Sequence, residues 1–236
     1  MALPSRNHTI TLAQAAGYTR RHREQRPNEE KGGAFHADQV RALLAQPGCT
    51  ALRYYHGLDE NASYAMILAG VDGEDHDSLN GDLLEQHFPC PPLCALPNDL
   101  NADDPATARA ARVFRTAPLA LPPRDHRIAL EAAQVMTRRW RVANAGREKG
   151  GAFHADQVLA LLDQRSCLAL RYYHGMDEAG NDAPVLVGVD PEGADMTDGI
   201  LMELHFPCPP LCDQLNVLNS SGWVLEARRL AAVEVA

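Results

Sequence analysis

Two segments of the sequence place one histidine and two cysteines within eight residues, with the spacing His-x2-Cys-x3-Cys. Imidazole and thiolate groups are preferred ligands of Zn, which takes four of them, or three and a water molecule. We expect the fourth ligand to be a histidine from a predicted strand two strands away. The candidate ligands are His56, His87, Cys90 and Cys94 in the first segment and His174, His205, Cys208 and Cys212 in the second. One hypothesis is therefore a Zn-binding protein, or a metal- or thiol-dependent enzyme.

The same cysteines support two other interpretations. The C-x3-C spacing differs from the C-x2-C spacing of zinc knuckles, and no second C-x2-C pair accompanies it. Two prolines between Cys90 and Cys94 stiffen the loop, which could preset a local disulfide or redox pair as readily as a chelate. Unmodified, packed thiols are the third interpretation, because a reducing cytoplasm disfavours structural disulfides. The sequence leaves all three open.

A second group of residues has the chemistry to bind an anion. Arg53 and Tyr55 share one face of a predicted strand, where a guanidinium can bind a carboxylate or phosphate and a ring can stack. Lys31 precedes a Gly-Gly pair before a predicted helix, whose first backbone N–H groups can hold an anion. The structural alternative is that Arg53 pairs with Asp or Glu. The candidate ligand-binding residues are Lys31, Arg53, Tyr55, Lys149, Arg171 and Tyr173.

These motifs occur twice because the chain contains two similar halves. Residues 7–101 align with residues 125–219 without a gap, and 54 of the 95 aligned pairs are identical. We predict a first module over residues 1–101 and a second over 125–219, joined by an Ala- and Pro-rich connector at 102–124. Residues 220–236 are predicted to form a C-terminal helix that packs on the modules.

The same five elements are predicted in each half. In the first half, helices over 11–23 and 36–46 precede strands over 49–56, 64–71 and 82–88. The predicted fold is α+β, with tandem ααβββ modules, antiparallel sheets and a pseudo-twofold relation. The edges of a three-stranded sheet need a partner, which the other copy can supply. We expect a monomer with an internal pseudo-dimer, or else a homodimer.

Each half resembles a group of short bacterial proteins of unassigned function that are about one module long. The resemblance is carried by Lys31-Gly32-Gly33 with Phe35, Arg53-Tyr54-Tyr55, Gly70-Val71-Asp72 and Pro89-Cys90-Pro91-Pro92-Leu93-Cys94. It covers nearly all of both copies. It implies a cytoplasmic α+β domain with no assigned chemistry. Histidines at positions such as 36 and 87 are not part of that group's pattern, which favours the cysteines alone over a His–Cys site.

Composition narrows the possible partners. The 45% hydrophobic and 22% charged content is typical of a globular protein. A net charge of −9 argues against a nucleic-acid partner. No run of about 18 apolar residues is present, so we expect no membrane partner. The start of the sequence lacks the apolar core of a signal peptide, so we expect a cytoplasmic protein.

The sequence contains no recognised catalytic motif, and we assign no catalytic residue. The leading expectation is therefore a non-enzymatic binding or interaction module whose partner is a protein or a small molecule. We expect two equivalent sites, or one shared site, centred on Arg53 and Arg171 and on the two Cys-Pro-Pro-Leu-Cys loops.

Overall fold

A computed structural model describes residues 2–104, 106–107 and 120–220. These residues form four helices and two six-stranded antiparallel sheets, which confirms the predicted α+β class. The helices are α1 (Leu12–Gln25), α2 (Ala37–Leu44), α3 (Leu130–Ala143) and α4 (Ala155–Leu162). The strands are β1 (Thr9–Ile10), β2 (Gly32–His36), β3 (Cys49–Leu58), β4 (Tyr64–Asp72), β5 (Leu83–Leu84), β6 (Phe88–Cys90), β7 (Arg127–Ile128), β8 (Gly150–His154), β9 (Ala169–Tyr173), β10 (Val185–Val189), β11 (Leu201–Met202) and β12 (Phe206–Cys208).

Local sequence signals explain where the first helices begin. A capping box precedes α1, because the hydroxyl of Thr11 accepts from the Gln14 backbone and the Gln14 side chain accepts from the Thr11 backbone. Helix α2 follows its N-cap His36, which is the first residue of the predicted helix over 36–46. The imidazole of His36 makes no capping bond to α2 and instead contacts Nε2 of His126 at 3.1 Å. The sequence therefore predicts both helix starts correctly.

Each sheet contains strands from both halves of the chain. One sheet has the order β1-β11-β10-β9-β2-β6, and the other has the order β12-β8-β3-β4-β5-β7. The meander of the second half thus lies between three strands of the first half, and the reverse holds in the other sheet. The two predicted modules share both sheets, and each half covers the sheet edges of the other.

The Gly-Gly pairs lie within the strands that join the halves. Gly32, of the Gly-Gly pair that precedes the second predicted helix, lies in β2 and pairs with Tyr173 of β9. A Cβ atom at Gly32 would lie 2.0 Å from the carbonyl oxygen of Tyr172, and one at Gly150 would lie 2.0 Å from that of Tyr54. Only glycine allows so close an approach between these backbones.

The core is arranged around the two sheets. The largest apolar cluster joins both sheets to α2 and α4, while smaller clusters place α1 on one sheet and α3 on the other. The third predicted strand, over 82–88, is interrupted. Leu83–Leu84 pairs with β4, Gln86 has a φ of 55°, and Phe88–Cys90 pairs with β2 of the other sheet.

Within the described ranges, none of the helices is long and apolar enough to cross a membrane. The helix predicted over residues 220–236 lies outside the described residues except for Ser220. Most of the predicted connector over 102–124 also lies outside them.

Candidate functional site

The predicted anion-binding residues of the first half are buried in an ion-pair network. The Arg53 side chain is fully buried, and its guanidinium donates to Asp75 and, at 2.7 Å, to Asp77. The hydroxyl of Tyr55 donates to Asp77 at 2.6 Å. Burial alone would lower the pKa of Arg53, yet Asp77 raises it above its ordinary value, so Arg53 stays charged. The structure thus matches the alternative that Arg53 pairs with acidic residues, rather than the prediction that Arg53 and Tyr55 bind an anion.

The second half repeats this network and ties it to the first half. Arg171 is paired with Asp195, and the Tyr173 hydroxyl donates to Asp195 at 2.6 Å. Asn98 of the first half also donates to Asp195, at 2.8 Å. In the same way, Asn216 of the second half donates to Asp77 at 2.8 Å. These residues hold the loop after each Cys-Pro-Pro-Leu-Cys segment against the opposite half, which is a structural role.

Each of the two candidate lysines donates to a backbone carbonyl group of the same half. Nζ of Lys31 donates to the carbonyl oxygen of Asn101 at 2.9 Å and also pairs with Asp103. Nζ of Lys149 donates to the carbonyl oxygen of Asn219 at 2.8 Å. Each lysine therefore forms a hydrogen bond that holds the C-terminal end of its own half in place.

The candidate metal ligands do not converge. Cys90 is bonded to Cys94, and Cys208 is bonded to Cys212. These sulfur atoms are not thiolates, so the predicted His–Cys zinc sites are not formed, and the disulfide interpretation holds. Among the residues that the structure describes, no group of three or more His, Cys, Asp or Glu side chains is placed to hold a metal ion.

His87 and His205 lie between carboxylates instead. Nε2 of His87 is 2.9 Å from Glu30 and Nδ1 is 3.2 Å from Glu85. Burial opposes the charge, but the hydrogen bonds to these two carboxylates raise the pKa of His87 to about 9. His205 occupies the equivalent position, 2.9 Å from Glu148 and 2.8 Å from Glu203, and its pKa is also raised to about 9. Both imidazoles are therefore charged at neutral pH.

The remaining two candidates, His56 and His174, line one cavity of about 440 Å³ between the halves. The two halves can be aligned with an offset of 118 residues. For four of the aligned pairs, both residues line the cavity. The histidines are the identical pair. The other three pairs differ: Arg26 with Asn144, Glu29 with Arg147, and Tyr64 with Asp182. The cavity thus lies where corresponding parts of the two halves meet, but its two sides are chemically different.

His56 is the most informative residue of this cavity. Its side chain is only 5% exposed, and its ring stacks on Trp140 with centroids 4.7 Å apart. Nδ1 lies 2.7 Å from the hydroxyl of Tyr64. Nε2 has no hydrogen-bond partner within the described part of the chain. Burial lowers the pKa of His56 to about 4, so the ring is neutral at pH 7.

The proton on this neutral ring can be assigned. Burial raises the pKa of Tyr64 well above its ordinary value, so the hydroxyl keeps its proton. If this proton is donated to Nδ1 of His56, the proton on the imidazole is at Nε2. The opposite tautomer leaves both the hydroxyl proton and the Nε2 lone pair without a partner. We therefore assign an N–H group to Nε2 of His56.

The other side of the cavity carries a second neutral imidazole. His174 stacks on His22, with centroids 5.1 Å apart, and meets the Tyr64 ring edge-on at 4.5 Å. Burial lowers the pKa of His174 well below its ordinary value. Two neutral histidines and two aromatic rings thus form the inner wall.

Charged groups surround this wall near the cavity mouth. Asp182 lies 3.4 Å from Arg147 and 3.6 Å from Arg26. Glu29 lies 3.7 Å from Arg26 and 3.4 Å from His22. The guanidinium of Arg147 also lies over the Trp140 ring, 5.3 Å from its centroid. Each carboxylate therefore already has a basic neighbour.

Comparison of the chain with protein-family models, with curated proteins and with solved structures gives no match. A larger depression of about 930 Å³ lies along residues 190–199. Its buried carboxylate, Asp195, is fully engaged by Arg171, Tyr173 and Asn98. The cavity between the halves is therefore the stronger candidate for a binding site.

Proposed function

We propose that this protein is a non-enzymatic binding protein that takes one small polar molecule in the cavity between its halves. The observation that carries the proposal is that His56 lines the cavity and that its buried Nε2 has no partner among the described residues. A buried polar group without a partner costs about 1–3 kcal/mol. Such groups are rare in folded proteins and require an explanation, which a bound molecule supplies.

The chemistry of the wall supports binding rather than catalysis. A general base works best when its pKa is near the ambient pH. The pKa of His56 is about 4, and that of His174 is also low, so both are weak bases at pH 7. Burial raises the pKa of the Cys49 and Cys167 thiols, which makes them poor nucleophiles.

The shape of the site favours a small molecule over a protein partner. The cavity is concave and combines aromatic rings with a few polar groups, as small-molecule sites do. Because corresponding residues of both halves reach it, one molecule per chain is expected. We also propose that the chain arose by duplication of a module related to the short bacterial proteins, which the 54 identical pairs support.

A screen of small polar metabolites by thermal shift, followed by calorimetry, tests the function. The wild type is compared with His56→Phe, which removes the ring nitrogens at the cavity, and with His76→Gln, which changes a histidine on the surface loop after β4. We expect one-to-one binding by the wild type and His76→Gln, and about five- to tenfold weaker binding by His56→Phe, as expected for the loss of one hydrogen bond. Equal binding by all three proteins would place the ligand elsewhere.

The proposed location of the protein needs its own test. The sequence favours the cytoplasm, whereas disulfide bonds persist mainly in oxidising compartments. Alkylation of thiols as the cells are lysed in denaturant, followed by mass spectrometry, distinguishes these locations. Six alkylated cysteines support the cytoplasm, and two support an oxidising compartment.

A further inference from the structure

The protonation of His56 limits which chemical groups can bind beside it. Resting on the proposed function, we infer that the bound molecule presents a carbonyl or carboxylate oxygen to the Nε2–H group of His56. This N–H is a donor, is buried, and has no acceptor among the described residues. Only an acceptor atom completes its hydrogen bond.

The charged residues of the wall favour the same class of molecule. The contacts of Asp182 with Arg26 and Arg147, at 3.6 and 3.4 Å, are longer than the 2.7–2.9 Å of a strong charge-assisted hydrogen bond. Both guanidinium groups are partly exposed, at 23% and 32%. They therefore retain donor capacity toward an added oxygen atom.

A ligand that only donates hydrogen bonds finds no equivalent partner. Asp182 faces two arginines, Glu29 faces Arg26, and Glu30 holds the charged His87. A cation would have to displace one of these existing pairs. The unmatched group on the wall is a donor, so we expect selection for acceptor oxygens.

Three probes of the same shape test this inference: acetate, acetamide and acetamidinium. Acetate is an anionic acceptor, acetamide carries a neutral carbonyl acceptor, and acetamidinium is a cationic donor. Each is titrated at constant pH and ionic strength into the full chain labelled with ¹⁵N at histidine. Correlation spectra of the imidazole nitrogens report on each ring, and His76, on the surface loop after β4, serves as the internal control.

We expect the free protein to show a protonated Nε2 and an unprotonated Nδ1 in His56. Acetate or acetamide then shifts the Nε2 signal of His56 to saturation and leaves His76 unchanged, whereas acetamidinium has no effect. If only acetate saturates the site, the ligand group is a carboxylate. If acetate and acetamide both saturate it, a neutral carbonyl oxygen is sufficient for binding. In His56→Phe, acetate binding weakens about five- to tenfold, the loss expected for one hydrogen bond.

Different outcomes would contradict the acceptor inference and the proposed binding function. Saturation by acetamidinium, or a proton on Nδ1 instead of Nε2, overturns the acceptor inference while the binding function survives. If none of the probes moves either cavity histidine and the metabolite screen is also negative, the cavity holds only water and the proposed function fails. If His56→Phe does not fold, the wild-type titrations decide the matter alone.

Discussion

Replacement of the two histidines that lie between carboxylates should change how stability depends on pH. Each pKa is raised from 6.5 to about 9 on folding. A raised pKa contributes stability that is fully present below the unfolded value and is lost as the pH rises through the folded value. The contribution is on the order of 3 kcal/mol for each histidine, of which about 2 kcal/mol disappears between pH 7 and pH 9.

The variants are His87→Gln, His205→Gln and their combination, with His76→Gln as the matched control. Glutamine cannot carry the charge that holds Glu30 and Glu85 together, so at pH 7 each single variant should lose on the order of 3 kcal/mol. At pH 9.5 the same variants should differ from the wild type by much less. The control shows how much of any change comes from replacing a histidine as such.

Urea unfolding followed by circular dichroism at several pH values measures these differences. The reasoning predicts that wild-type stability falls between pH 7 and pH 9 and that the double variant loses most of this slope. A wild-type stability that stays constant or rises over this range would refute it. So would a double variant with an unchanged slope.

Three other predictions concern buried polar groups. Arg53→Met should destabilise the fold by about 3–5 kcal/mol, because Asp75 and Asp77 lose their buried partner; urea unfolding measures the loss. Unfolded but unreduced protein should react with a thiol reagent at two cysteines, and reduced protein at six. His56→Phe or Tyr64→Phe alone should cost about 1–3 kcal/mol, whereas the double variant should lie near the wild type, because no polar group is then left unpaired.

Each of these predictions has a clear contrary result. A loss below about 1 kcal/mol for the arginine variant would mean that water reaches its carboxylates. Six reactive thiols without reductant would rule out both disulfides. Additive costs in the double variant would show that the hydroxyl and the imidazole do not share a hydrogen bond.

Local elements of the fold could be predicted because their signals are local. The capping residues of α1 and the apolar run of β4 are each visible within about ten residues of sequence. The exchange of strands could not be predicted this way. β2 of the first half pairs with β9 of the second, more than one hundred residues away, and no local pattern specifies that partner. The sequence predicts that each half covers the sheet edges of the other, but it does not predict which strands pair to do so.

The candidate site was predicted only in part. His56 and His174 were identified from their residue type, but their expected cysteine partners are joined in disulfides. Glu30 was missed as the partner of His87, although its position in the longest identical block of the repeat was an available signal. Charge alone suggested that Arg53 binds a ligand. Its buried acidic partners, Asp75 and Asp77, come from the loop after β4, and acidic loop residues carry no sequence signal of burial.

The differences between the halves also relate to the position of the cavity. Identical residues mainly mark shared packing, such as the glycines of β2 and β8. The cavity instead brings together positions where the copies differ, including Tyr64 and Asp182. Unlike residues at equivalent positions make the two sides of the cavity different. The sequence alone does not show that these positions meet, because their contact depends on how the halves pack together.

A crystal structure of the protein with the tightest ligand from the metabolite screen tests the central claim most directly. We predict a ligand oxygen within hydrogen-bonding distance of Nε2 of His56, and contacts with residues of both halves. A ligand that contacts a single half, or one seated in the surface depression along residues 190–199, would contradict the proposed site.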